Sequence, residues 1–240
     1  MNLWHQFPDH RMLAELSLWS ADLAHLGEEI ERMDPFADLY HIDVADGHFA
    51  PQFLFFPDQV ARLRQLTRKP FHVHLMVDSS ILLHQIDQFI EAGANFITIW
   101  YENGDIVPAA LDRVRSANVT AGMSLELETP PEAIIPYFDR VDLVTMMGTR
   151  VGVKGQDLSE QACPRMSSMR RLIEEHGYSG KIKLAADGGN RSHTVPNLRA
   201  AGADTVVLGS LAYGSQNLKQ TFDWLWSLAG PLPEQVNLHT

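Results

Sequence analysis

Eight times along this chain, a short run of β-branched and apolar residues gives way to a segment with helical spacing. That alternation constrains the fold more than any other feature. Strands are expected over 15–21, 39–44, 71–77, 96–101, 120–127, 141–147, 181–187 and 204–210. Helical segments are expected over 22–33, 57–66, 81–94, 106–117, 130–138, 165–177, 193–203 and 221–229. Pro57 and Pro108 stand in first helical turns, where a missing N–H costs nothing, and Gly93 stands near a helix end. Eight β-α units in 240 residues fit a single-domain (β/α)8 TIM barrel better than a doubly wound sheet. The expected division is an N-terminal extension over 1–14, the barrel over 15–229 and a C-terminal tail over 230–240.

Composition narrows the classes of function. A 45% hydrophobic, 20% charged chain has the content for a large globular core. Its net charge of −11 argues against non-specific nucleic-acid binding, which needs a basic face. The charge leaves room for an anionic small substrate, because a local field can oppose the global one. Cys163 is the sole cysteine, so no internal disulfide forms and a reducing compartment suits the chain. The start MNLWHQFPDH lacks a signal-peptide pattern, and no apolar run reaches membrane-spanning length. A cytoplasmic protein that does not engage a membrane is expected.

In such a barrel the chemistry sits at the carboxyl ends of the strands. His41 and Asp43, two apart, leave one face of the second predicted strand, with Ile42 and Val44 on the other. His72, His74 and Met76 share a face of the third. Asp187 ends the seventh, followed by Gly188 and Gly189, and Gly209 and Ser210 end the eighth. Ser17 lies on the first strand, and Glu102 and Glu126 end the fourth and fifth. A lone His/Asp pair at a strand end is commonly no more than a hydrogen-bonded pair. Four such residues, His41, Asp43, His74 and Asp187, on three strands are the types that hold Zn²⁺, Fe²⁺, Co²⁺ or Mn²⁺. A divalent ion would also remove the cost, about several kcal/mol, of burying two carboxylates together.

The motifs SLWSADLAHLGEEI, HIDVADGHFAP, HVHLM, AADGGN and VLGS, in this order from Ser17 to Ser215, resemble the ribulose-phosphate 3-epimerase family. The resemblance implies a metal-dependent epimerase acting at C3 of a phosphorylated 2-ketose, and an oligomer of identical subunits. It implies one divalent ion, Zn²⁺ or Fe²⁺ with Co²⁺ or Mn²⁺ as alternatives, on His41, Asp43, His74 and Asp187. Asp43 and Asp187 would carry the proton from one face of C3 to the other. Ser17 and His74 would touch substrate, and Met76 and Met147 would line the pocket. Gly152, Gly155, Gly188, Gly189, Gly209 and Ser210 would cradle its phosphate. Glu102 matches the family's fourth-strand acid and is expected as support. His72 stands where the family usually has an acid, and packing or support is expected of it rather than ligation. Asp46 is expected as a loop cap.

Departures from the family pattern fall on the pocket. Ala45 replaces a family Met, Trp19 a Leu, Trp100 a His and Glu126 an Asn. The paired change at Ala45 and Trp19 exchanges small for large and large for small, so packing can survive while the sugar pocket changes shape. The loop RVGVKGQ (150–156) stands where the family reads roughly N-P-G-F-G-G-Q. Val151 replaces the family's Pro, β-branched Val153 restricts the backbone, and Lys154 offers a mobile positive charge to phosphate. Ribulose 5-phosphate is the family's substrate, and a hexulose 6-phosphate or a free ketose competes with it. A Schiff-base lyase is disfavoured because Lys181 and Lys183 start their strand, at the wrong end of the barrel. A non-catalytic sugar-phosphate or metal-binding barrel is disfavoured by the presence of both Asp43 and Asp187.

Overall fold

In the computed structural model, which describes residues 3–230, eight parallel strands close into a ring. The strands are β1 (Leu13–Ser17), β2 (Leu39–Asp46), β3 (Phe53–Leu54), β4 (Phe71–Met76), β5 (Phe96–Trp100), β6 (Thr120–Leu125), β7 (Leu143–Met147), β8 (Lys183–Asp187) and β9 (Thr205–Leu208). Around the ring the order is β1-β9-β8-β7-β6-β5-β4-β2, and the β1–β2 pairing closes it. β3 lies outside the ring, a two-residue strand antiparallel to the end of β2. The helices α1 (Leu26–Met33), α2 (Pro57–Leu63), α3 (Leu82–Glu91), α4 (Val107–Ser116), α5 (Ala162–Glu175), α6 (Val195–Ala200), α7 (Ser210–Tyr213) and α8 (Leu218–Ser227) surround it. This is a TIM barrel.

Both faces of most strands are buried, so outward residues such as Leu16, Ile42, Val44, Val73 and Leu75 join the core shared with the helices. The inward residues form levels. At the floor, Leu13, Leu39, Phe96, Leu143 and Ala185 pack around Trp4, whose indole Nε1 donates to the Asp142 carbonyl at 2.6 Å. Above the floor the interior turns polar.

Several expectations shift. β1 covers 13–17 rather than 15–21, because the chain turns into a 3-10 helix over Leu18–Ser20. Residues 131–137 are also 3-10, with Pro136 inside, where the missing N–H opposes an α-helical ladder. Ser210 opens α7 instead of ending a strand. Of the tail expected over 230–240, residues 231–240 lie outside the described residues. No helix among the described residues is long and apolar enough to cross a membrane.

Trp4 gives the floor a direct test. It is buried against Phe7 and Phe96 and plugs the end of the barrel away from the strands' carboxyl ends. Trp4→Ala is expected to lower the unfolding free energy by about 3–5 kcal/mol. Chemical denaturation measures it, and a loss under about 1 kcal/mol would show that the floor closes without the indole.

Candidate active site

Strand register brings the candidate ligands together. Asp43 pairs with His74 across β2 and β4, His41 pairs with His72 one step below, and Met147 pairs with Asp187 across β7 and β8. At the mouth, one donor atom from each of His41, Asp43, His74 and Asp187 falls within 4.8 Å of the others. His41 Nε2 lies 3.3 Å from Asp43 Oδ1 and 3.6 Å from Asp187 Oδ2, and His74 Nδ1 lies 3.4 Å from Asp187 Oδ2. Ser17 Oγ donates to Asp43 Oδ2 at 2.8 Å and fixes that carboxylate.

The donor set fits a divalent cation. His41 Nε2 and both ring nitrogens of His74 are buried without a hydrogen-bond partner, although such atoms are normally satisfied. Two imidazole nitrogens and two carboxylates converging on one point suit Zn²⁺, Fe²⁺, Co²⁺ or Mn²⁺ alike. Burial pushes the Asp43 carboxyl up, but the His41 charge and the bond from Ser17 outweigh it and hold the group down at about 2. Burial pulls the His41 imidazole down, yet Asp43, Glu15 and Asp187 overcome it and raise it well above the ordinary histidine value. A strong positive charge is wanted between these carboxylates.

Below this cluster lies a residue that sequence reasoning missed. Glu15 is fully buried, and its Oε2 meets His41 Nδ1 at 3.1 Å and His72 Nδ1 at 2.6 Å. Its Oε1 accepts from Thr205 Oγ1 at 2.7 Å. His72 is completed by Thr98 Oγ1, 2.7 Å from its Nε2, so it supports rather than ligates at the mouth. Burial lowers the His72 imidazole against the pull of Glu15, which leaves it neutral. The signal for Glu15 was its place two residues before Ser17, hence on the same inward face.

The cavity above the cluster measures about 360 Å³. Ser17, Trp19, Met76, Met147, Gly152, Lys154, Gly155, Gly188, Gly189, Gly209 and Ser210, all expected from the sequence, line it. Arg150, Gln156 and Arg191 line it too and were not foreseen. The two arginines bring positive charge to the mouth of an acidic protein. Gly189 sits at φ +71°, and a Cβ there would come within 2.8 Å of the Leu158 backbone nitrogen. Only glycine allows that approach. A larger concavity, about 610 Å³, lies outside the ring by β3 and α3, lined mainly by apolar residues such as Phe53 and Phe56. It holds no group of ligand-type side chains.

Other candidates fall elsewhere. Glu102 does not reach the cavity; its Oε1 accepts from the Glu126 amide and the Thr129 hydroxyl, bracing the loop after β6. Glu126 is likewise absent from the cavity wall. Asp46 caps its loop by accepting from the amides of His48, Phe49 and Asp78. Trp100 is fully buried and stacks on His74, ring centroids 5.1 Å apart and planes at 11°. It shares an apolar cluster with Ala45, Ala50, Met76 and Met147, and Phe49 packs on it at 5.3 Å. Ala45 thus belongs to the same cluster as Trp100, and Trp19 is not a member of it. Trp19 instead meets the 150–156 loop: the Lys154 ammonium bonds the Trp19 carbonyl and lies 4.8 Å from its ring centroid.

Comparison with known proteins agrees with this geometry. A family profile described as "Ribulose-phosphate 3 epimerase family" matches residues 13–213. The ribulose-phosphate 3-epimerase of Bacillus subtilis (strain 168) is 34% identical over 85% of this chain and 93% of its own. That of Helicobacter pylori (strain J99) is 31% identical over 90% of this chain and 97% of its own. Among solved structures, orotidine 5'-phosphate decarboxylase from Pyrococcus horikoshii OT3 superposes with a TM-score of 0.63 at 15% identity. That match covers 89% of this chain and 97% of the decarboxylase, and it speaks for the fold alone.

Proposed function

We propose, from the premise that this chain belongs to the ribulose-phosphate 3-epimerase family and is an epimerase, that it inverts C3 of a phosphorylated 2-ketose with the help of one divalent ion. One observation carries the reading. Two carboxylates and the hydrogen-bond-free nitrogens of two histidines, His41 Nε2 and the His74 ring, converge at the mouth of a cavity whose wall includes glycine turns and cationic side chains.

The C3 hydrogen of a 2-ketose lies beside the C2 carbonyl, so its removal leaves an enediolate. An ion held by His41, Asp43, His74 and Asp187, Zn²⁺ or Fe²⁺ with Co²⁺ and Mn²⁺ compatible, supplies positive charge against that anion. Asp43 and Asp187 project from β2 and β8, with β1 and β9 between them around the ring. One carboxylate takes the proton, and the other, protonated, delivers one to the opposite face of C3. Met76, Met147 and Trp100 keep water from the reacting carbons. The glycine turns at Gly188, Gly189, Gly209 and Ser210 receive the phosphate, with Arg150, Lys154 and Arg191 around it.

A pentulose 5-phosphate, ribulose 5-phosphate foremost, is the first substrate to try. A hexulose 6-phosphate is the second reading, favoured by the exchanged Trp19 in the cavity wall and by Ala45 and Trp100 in the apolar cluster that holds the lining residues Met76 and Met147. Proton NMR in D₂O on ion-loaded protein tests both. The expected result is loss of the C3–H signal with appearance of the C3 epimer for one phosphorylated ketose. Exchange confined to an unphosphorylated ketose would sink the phosphate cradle.

A further inference from the structure

The buried Glu15 carboxylate, in the middle of β1, has three polar side-chain partners from three other strands. It gathers His41 from β2, His72 from β4 and Thr205 from β9 at a level where nothing reaches solvent. We infer that Glu15 is a positioning residue for the ion site: it locks the His41 ring so that Nε2 alone is aimed at Asp43, Asp187 and His74. This rests on the metal reading above.

Donors and acceptors fix the tautomer. An ionised carboxylate only accepts, so the His41 nitrogen facing it must carry hydrogen. That assigns the proton to Nδ1 and leaves Nε2 to offer its lone pair to an ion. The second imidazole, His72, stiffens the arrangement. It shares the same Glu15 oxygen, is held from behind by Thr98, and meets the His41 ring edge-on at 4.7 Å. Glu15 thereby has a fixed height and cannot follow His41 if that ring turns. A carboxylate behind a ligating imidazole also raises its basicity, which strengthens the bond to a cation.

The experiment titrates the metal-free protein with Co²⁺ and follows visible absorption, on wild type, Glu15→Gln and Glu15→Ala. Gln is isosteric: its oxygen can still accept from both imidazoles and its amide can face Thr205, so only the charge is lost. The expected order of affinity is wild type, then Glu15→Gln, then Glu15→Ala, with falls of about 10-fold to 100-fold. A further variant, Glu15→Ala combined with His72→Asp, returns a carboxylate to the strand position paired with His41. It is expected to recover part of the lost affinity, which a purely structural role for Glu15 would not produce. If Glu15→Ala does not fold, the isosteric variant decides the matter. Glu15→Gln and Glu15→Ala proteins that fold and hold Co²⁺ within twofold of wild type would overturn the inference. Wild-type protein that takes up no divalent ion would overturn the metal reading itself, which is a different failure.

Discussion

Asp43→Asn and Asp187→Asn are each expected to lower kcat/KM for C3 epimerisation by about 10²–10⁴-fold, and their residual chemistry is expected to be mirror-related. Asparagine keeps the size of the side chain and a carbonyl oxygen for a cation, but it can neither take nor return a proton. If each carboxylate serves one face of C3, removing one leaves the other able to act alone. With Asp43 replaced, the ketose whose C3–H faces Asp187 still loses that hydrogen to Asp187. The same residue then returns solvent deuterium to the same face. Exchange persists without inversion for one epimer, and the other epimer neither exchanges nor inverts. Asp187→Asn reverses the pattern. The two epimers are each incubated in D₂O with each variant, and exchange is followed by proton NMR. A single base serving both faces would instead leave one variant inert towards both epimers and the other nearly intact. The Ser17 hydroxyl bond to Asp43 and the histidine contacts hold both carboxylates in place, so the comparison is between two ordered groups.

The difference between what could be read in the sequence and what could not follows the range of the interactions. His41, Asp43 and Ile42 were legible because a strand alternates its faces, and the alternation survives without knowledge of any partner. The four candidate ligands, His41, Asp43, His74 and Asp187, could be placed on inward faces for the same reason on each strand separately. Glu15 was not, since its partners His72 and Thr205 lie 57 and 190 residues away and only ring closure brings them near. Alone, Glu15 reads as a polar residue at the start of a strand. Arg150 and Arg191 were missed because loop cations are normally solvated, and only the fold turns them toward one cavity. β3 is too short to show a period. The sizes of Ala45 and Trp19 could be read from the sequence, but their surroundings could not: Ala45 falls in the apolar cluster of Trp100, and Trp19 meets the 150–156 loop.

Removal of the divalent ion is expected to abolish turnover, and its rebinding is expected to weaken as pH falls, by tenfold per unit across neutrality. In the metal-free protein His41 is held well above the ordinary histidine value of about 6.5 by Asp43, Glu15 and Asp187, against the effect of burial. Its Nε2 therefore carries a proton at pH 7, and an ion that takes Nε2 must expel it. One proton released per ion bound gives that tenfold slope, about 1.4 kcal/mol per pH unit. Stability must show the same linkage. A group whose pKa is raised on folding stabilises fully below its unfolded value, and that stabilisation is lost as pH rises through the folded value. Metal-free protein is thus expected to lose stability above pH 6.5, where the unfolded chain sheds the His41 proton that the folded chain must still hold beside its carboxylates. Ion-loaded protein keeps a positive charge there and is expected to resist. The gap in Tm between the two forms should therefore widen as pH rises, in step with the affinity. Co²⁺ titrations and thermal scans at a series of pH values measure the two trends independently. An affinity flat from pH 6 to 8 would mean that His41 is neutral in the free protein, and the Tm gap would then have to be flat as well. Agreement of the two slopes is what one proton released per ion bound requires, because an ion that binds only the folded chain stabilises it in step with its affinity.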